Sequence, residues 1–149
     1  MKRIFFVSFI SLWTNCLICQ VQNVDSLINI LNTQETGPRE QLSLYHQICD
    51  EIAFYDPERM MQYAKKGLIL AQKEKDLLML SLFNEYLGFY YSFTHKEDSA
   101  IVSFERALDL ALKAKDITQE TKLYVNLGAM NQSNNNLIKA LDYYMKALD

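Results

Sequence analysis

Leu87-Gly88-Phe89-Tyr90-Tyr91 and Leu127-Gly128-Ala129-Met130-Asn131 stand 40 positions apart in the chain, and the register they set continues through the residues that follow. At the same offset Ala100 aligns with Ala140, Phe104 with Tyr144 and Ala107 with Ala147. Self-similarity at a fixed period of some tens of residues is the signature of stacked supersecondary units. A fainter copy precedes these two: Met60, Ala64 and Gly67 lie 40 positions before Ala100, Phe104 and Ala107, and Asp76 lies 40 before Asp116. The first half of that copy fits when its loop is one residue shorter, which sets Tyr45, Ile48, Cys49 and Ile52 against Tyr124, Leu127, Gly128 and Asn131. Cys49 then occupies the slot that holds glycine elsewhere.

The recurring sizes predict helix hairpins. Gly88 and Gly128 in first helices, with Ala100, Ala107, Ala140 and Ala147 in second helices, let two helix backbones approach closely, and Phe104 and Tyr144 fill the space beside them. Ala100, Phe104, Ala107, Leu108 and Ala111 recur at spacings of three and four along one helical face. Breaks fall where hairpins need turns. Asp56-Pro57 suits an N-cap followed by proline, Asp98 is expected to cap the next second helix, and Ser133 to Asn136 supply the third turn.

Composition agrees with an all-α chain. The sequence has 149 residues, half of them apolar, with only four glycines and two prolines, so a real core and long unbroken helices are both affordable. The formal net charge is −3. Nucleic acid is excluded as an expected partner, because neutralising phosphates requires a basic face.

Residues 1–19 differ from the rest. Lys2 and Arg3 precede an apolar run from Ile4 to Cys19, and polar residues begin at Gln20. That layout predicts a cleaved secretory signal and hence a periplasmic or extracellular protein. The run is shorter than the roughly 20 residues of a spanning helix and is interrupted by Ser8, Ser11, Thr14 and Asn15. Membrane contact is accordingly expected only through this signal or through a region C-terminal to the chain. Asn15 before Cys16 and Ile18 before Cys19 disfavour lipidation. Cleavage after Cys19 removes the single tryptophan, Trp13, and the two charges of Lys2 and Arg3, taking the net charge from −3 to −5. It also removes Cys16 and Cys19, leaving Cys49 as a lone, buried structural thiol.

The repeated residues, Leu-Gly followed by an aromatic, then Ala, Phe or Tyr, and Ala, resemble the tetratricopeptide repeat pattern over residues 41–149. The period of 40 exceeds the common figure of about 34, so the likeness is to a longer-helix variety. The resemblance implies an all-α, right-handed superhelical solenoid of antiparallel hairpins in about three units, at approximately 41–76, 77–116 and 117–149. Residues 20–40 are expected to form a short helix and linker, with Asp25 or Ser26 as its cap and Leu27, Ile28 and Leu31 as its apolar face. This opening resembles that of exported bacterial repeat proteins that precede sensor kinase or transcription-regulator modules. The last unit ends in a second helix without a polar cap, so the expectation is a fragment of a longer protein.

In tetratricopeptide folds the concave face is built mainly from first helices. The matching positions are Ser43, His46 and Asp50, then Leu82, Glu85 and Phe89, then Lys122, Asn126 and Ala129. The resemblance makes His46, Asp50, Glu85, Phe89, Lys122 and Asn126 the leading candidates for ligand contact. They do not reproduce the lysine and asparagine set that clamps a peptide carboxylate in chaperone-binding members. The expected function is a scaffold that binds protein or peptide segments; the alternative is the extracytoplasmic sensory region of a longer membrane signalling protein. No catalytic, metal or cofactor site is expected. His46 and His95 lack ligands at metal spacing, there is no phosphate-cradling glycine loop, and no serine sits in a nucleophile elbow.

Overall fold

The computed structural model describes residues 23–33 and 35–148, and the expected signal segment lies outside them. Among the described residues the chain is all-helical, with seven helices and no strand. They are α1 (residues 23–33), α2 (Pro38–Ile52), α3 (Pro57–Glu74), α4 (Leu77–Phe93), α5 (Glu97–Ala114), α6 (Ile117–Ser133) and α7 (Leu137–Lys146). The starts of α3, α5 and α7 fall 40 residues apart, as do both ends of α4 and α6. Each helix from α2 onward packs on the next, and α4 additionally touches α2 and α6.

The glycines mark where helices come closest. A Cβ on Gly88 would lie 2.5 Å from Cε1 of Phe104, and one on Gly128 would lie 2.5 Å from Cε1 of Tyr144. Both contacts are within a hairpin. Gly67 serves a junction between hairpins instead, since its added Cβ would lie 2.3 Å from Cζ of Phe83 in α4. No other residue type fits these three positions without displacing an aromatic ring.

The first hairpin reverses the sizes. Cys49 holds the glycine slot, and the slot of Phe104 and Tyr144 holds Ala64; both are fully buried in one core cluster. A larger residue on the first helix is thus matched by a smaller one on the second. The junctions show the same exchange, with Gly67 and Phe83 at one and Ala107 and Leu123 at the next, all buried. What repeats is the filled volume between helices, as close packing requires, and less so the residue at each position. The Cys49 thiol donates to the Met60 carbonyl at 3.6 Å, and burial pushes its pKa well above the ordinary thiol value.

The turns also recur every 40 residues. Lys75, Lys115, His95 and Asn135 have φ of 57°, 57°, 54° and 59° and sit in the left-handed region after α3, α5, α4 and α6. In each case the next amide bonds back to the final helical turn: Asp76 N–H to Ala71, Asp116 N–H to Ala111, Lys96 N–H to Tyr91 and Asn136 N–H to Asn131, at 2.8 to 3.1 Å. This six-to-one closure satisfies carbonyls the helix would leave open. Asp76 and Asp116 then cap α4 and α6 by accepting from the Met79 and Gln119 amides.

Asp56 caps α3 by accepting from the Arg59 amide, with Pro57 in the first turn. Two expected caps are corrected. α5 starts at Glu97 behind Lys96, which places Asp98 inside the first turn, where it faces the positive end of the helix without capping it. Asp25 and Ser26 lie inside α1, because Val24, buried together with the partly buried Leu27, Ile28 and Leu31, forms a helical stripe that must begin before residue 25. Both are exposed, and Asp25 approaches Arg59 of α3 at 4.0 Å.

Candidate functional site

Three first helices share a concavity of about 420 Å³. α2 contributes His46 and Asp50, with Ala53 and Phe54 just beyond it; α4 contributes Leu82, Glu85, Tyr86 and Phe89; α6 contributes Thr121, Lys122, Val125 and Asn126. The spacings of three and four on α4 and α6 bring these side chains to one face of each helix. All six leading candidates from the sequence therefore meet at one groove. Ser43 and Ala129 do not line it; Ser43 accepts a hydrogen bond from Gln47 on its own helix.

Two neighbours on α4 tie the groove together. Tyr86, 4% exposed, reaches back to α2, where its hydroxyl donates to Asp50 Oδ1 and its ring meets that of His46 edge-on at 5.8 Å. His46 Nδ1 lies 3.7 Å from Asp50 Oδ2. Burial first, then the bond to Asp50, drives the Tyr86 pKa far above its ordinary value, so the phenol stays protonated as a donor.

Glu85 reaches forward to α6. Its Oε2 accepts from Gln119 Nε2 at 2.7 Å and its Oε1 from Asn126 Nδ2 at 2.8 Å. Glu85 is 7% exposed, and desolvation raises the pKa of its carboxyl against the opposing pull of the two amides and of Lys122. Glu85 and Asn126, both candidate ligand contacts, are thus bonded to each other between α4 and α6. Lys122 is exposed, and Asp50 has an oxygen directed at His46.

The floor is apolar. Phe89 packs edge-on against Phe104 at 5.4 Å and touches both core clusters. Leu82 and Val125 continue the surface, and Phe54, 83% exposed, stands at its lip beside Phe93. The crowded aromatics of α4 divide accordingly: Tyr86 is buried, Phe89, Tyr90 and Tyr91 are half-buried, and Phe93 is exposed.

Sequence reasoning missed Ala53, Phe54, Tyr86, Thr121 and Val125 in the lining, and Gln119 behind it. The signal for Tyr86 was its place directly beside Glu85 and four residues after Leu82; its hydroxyl needed a partner, and Asp50 supplies it. Gln119 could have been read from Asp116, which fixes the start of α6. Nothing marked Phe54, because a phenylalanine at a helix end reads as core.

Chemically, this arrangement offers a cleft with an apolar base, hydrogen-bonded amide and carboxyl groups on two walls, and an exposed cation, Lys122, at the edge. Its volume falls within the roughly 300–1,000 Å³ of ligand clefts. The class defined by fold and groove is an all-helical protein of paired helices in a 40-residue register. No family model and no curated protein matches the chain.

Proposed function

We propose that this protein is a non-enzymatic binding scaffold of tetratricopeptide type, an array of stacked hairpins that takes a peptide segment of a partner into the groove across α2, α4 and α6. One observation carries the reading: residues contributed by three successive first helices, spread over 80 positions from His46 to Asn126, line one cavity. A groove shared by equivalent helices of successive units is the surface that stacked repeats present. Its apolar base suits a bulky apolar side chain, and its polar walls suit the hydrogen-bonding groups of the backbone carrying it. The N-terminal apolar run with Lys2 and Arg3 supports work outside the cytoplasm.

The test is selection of dodecapeptides from a random display library against the whole protein, followed by titration of the enriched peptides. Lys122→Glu and Val125→Arg alter the groove at exposed positions and leave the core intact. At least tenfold weaker binding to both variants supports the proposal; enriched peptides that bind both as tightly as the unaltered protein, or no enrichment at all, refute it.

A further inference from the structure

We propose, on the reading of the groove as a peptide site, that its occupant carries a basic side chain, arginine or lysine, which lies along Phe54 and sets its charged head on Asp50. Tyr86 occupies Oδ1 of Asp50. Oδ2 has no hydrogen bond among the described residues, and His46 Nδ1 stands off at 3.7 Å. The Asp50 side chain is 63% exposed, so the open oxygen can be reached from the cavity it lines. Glu85, the other carboxylate of the cavity, has both oxygens taken by Gln119 and Asn126. The unmet acceptor is therefore on the α2 wall.

The end of α2 strengthens the pull on a cation. The four helices that follow it close with a six-to-one bond, whereas the turn after α2 is one residue shorter. Ala53 stays right-handed at φ −51°, and the amides of Tyr55 and Asp56 both return to the Ile52 carbonyl. Among the described residues no turn amide returns to the carbonyl of Asp50 or Glu51. The last turn of α2 holds those two acidic residues and no basic one. The negative end of the helix thus adds to the side-chain charge, with no cation of the chain's own last turn to offset it.

The same short turn supplies a seat for the stem. With Ala53 still helical, Phe54 falls four residues after Asp50 and on the same face. Its ring is braced by that of Phe93, 6.2 Å away, and lines the cavity. Arginine and lysine join an apolar stem to a charged head, and aromatic rings attract cations to their faces. An open carboxylate beside an exposed ring matches both parts of one such side chain. Lys122 lines the opposite wall on α6, which touches α4 but not α2. It repels a second basic group, so charge places the basic residue at the α2 end.

The test uses dodecapeptides that display selection enriches on the whole protein and that bind Val125→Arg weakly, which marks them as groove-bound. Each is expected to carry an arginine or lysine whose replacement by alanine weakens binding about tenfold, as loss of a hydrogen bond to a charged group does. Asp50→Asn keeps an oxygen for Tyr86. It should weaken the parent peptide by a similar factor and bind the alanine peptide as the unaltered protein does. Phe54→Ala, at an exposed position, should likewise weaken the parent peptide more than the alanine one. Glu74→Gln removes an equal charge at an exposed position outside the groove and should change neither. Groove-bound peptides without a basic residue overturn this inference and leave the peptide site standing. So does a basic residue whose loss matters as much in Asp50→Asn as in the unaltered protein, or equal weakening by Glu74→Gln. No enrichment at all removes the peptide site and this inference with it.

Discussion

The exchange of sizes between hairpins makes a quantitative prediction about Gly88 and Phe104. Gly88→Cys and Phe104→Ala together install in the second hairpin the pair that Cys49 and Ala64 form in the first. Alone, Gly88→Cys drives a Cβ and a sulfur into a ring already 2.5 Å from the Cβ position. Overpacking of that kind costs about 1–3 kcal/mol, and the few tenths gained in helix propensity do not offset it. Phe104 is 1% exposed, so Phe104→Ala alone should cost about 3–5 kcal/mol through the cavity it leaves. In the double variant the thiol enters that cavity and its clash is gone. The double variant should then be destabilised by at least 1 kcal/mol less than the summed single effects, within the range of coupling seen for residues in contact. It will not match the original, since Phe89 loses an edge contact worth roughly 0.5–1.5 kcal/mol. Urea unfolding of the four proteins, followed by far-ultraviolet circular dichroism, gives the cycle. Additivity within about 0.5 kcal/mol would show that the two positions do not share one volume and would sink the packing account of the repeat.

Lys75→Gly and Lys115→Gly should each raise stability by about 0.5–1 kcal/mol, because both lysines hold left-handed backbone that costs a side chain more than the flexibility of glycine does; an unchanged or lower thermal midpoint contradicts this. Asp76→Ala and Asp116→Ala should cost about 1 kcal/mol each by removing a cap, whereas Asp98→Ala should stay within about 0.5 kcal/mol, and equal losses at all three would refute the cap assignment. Cys49, fully buried with its pKa raised, should resist maleimide in the native protein and label only on unfolding, as read by peptide mass mapping; rapid native labelling argues against its place in the hairpin core. The raised pKa of Glu85 means that the folded state binds its proton more tightly than the unfolded chain does. Its contribution is therefore most favourable below the ordinary value of 4.5 and declines as pH rises through the folded value. Relative to Glu85→Gln, the unaltered protein should lose stability over that interval, and a difference that is flat or of opposite sign overturns the assignment.

The sequence exposed what depends on size and spacing. The start of α3 at Asp56-Pro57, the close approaches at Gly88 and Gly128 and the burial of Ala100, Phe104 and Ala107 follow from residue types and a register visible in the sequence alone. Pairings that depend on direction were hidden. Glu85 lines the groove, as its position on the helix implied, but its bonds to Gln119 and Asn126 were not legible, because these arrive from a helix more than 30 residues away. The turn lysines were hidden for a different reason. Glycine usually announces left-handed backbone, and here Lys75 and Lys115 adopt it because the six-to-one bond and the capping aspartate that follows fix the chain around them. Asp98 misled because the residue type suits a cap, whereas the bond from Lys96 to Tyr91 starts the helix earlier.

One short stretch of α4 joins the packing to the groove. Phe83 faces Gly67 on the preceding helix and Gly88 faces Phe104 on the following one, so α4 is located from both sides by contacts that allow no extra carbon. Between those two points lie Glu85 and Tyr86, which bond forward to α6 and back to α2. The width of the groove is thus fixed by the glycine contacts, and the hydrogen bonds across it hold only while those contacts keep the three helices in place. A substitution that loosens Gly67 against Phe83 should therefore separate Tyr86 from Asp50 before it disturbs Glu85, because it shifts α4 relative to α3, and so relative to the α2 packed on α3, while leaving the α5 side closed. Nuclear magnetic resonance of Gly67→Ala should show shifts concentrated at His46, Asp50 and Tyr86, with Gln119 and Asn126 nearly unmoved. Equal shifts on both sides would mean that α4 is not held independently by its two glycine contacts.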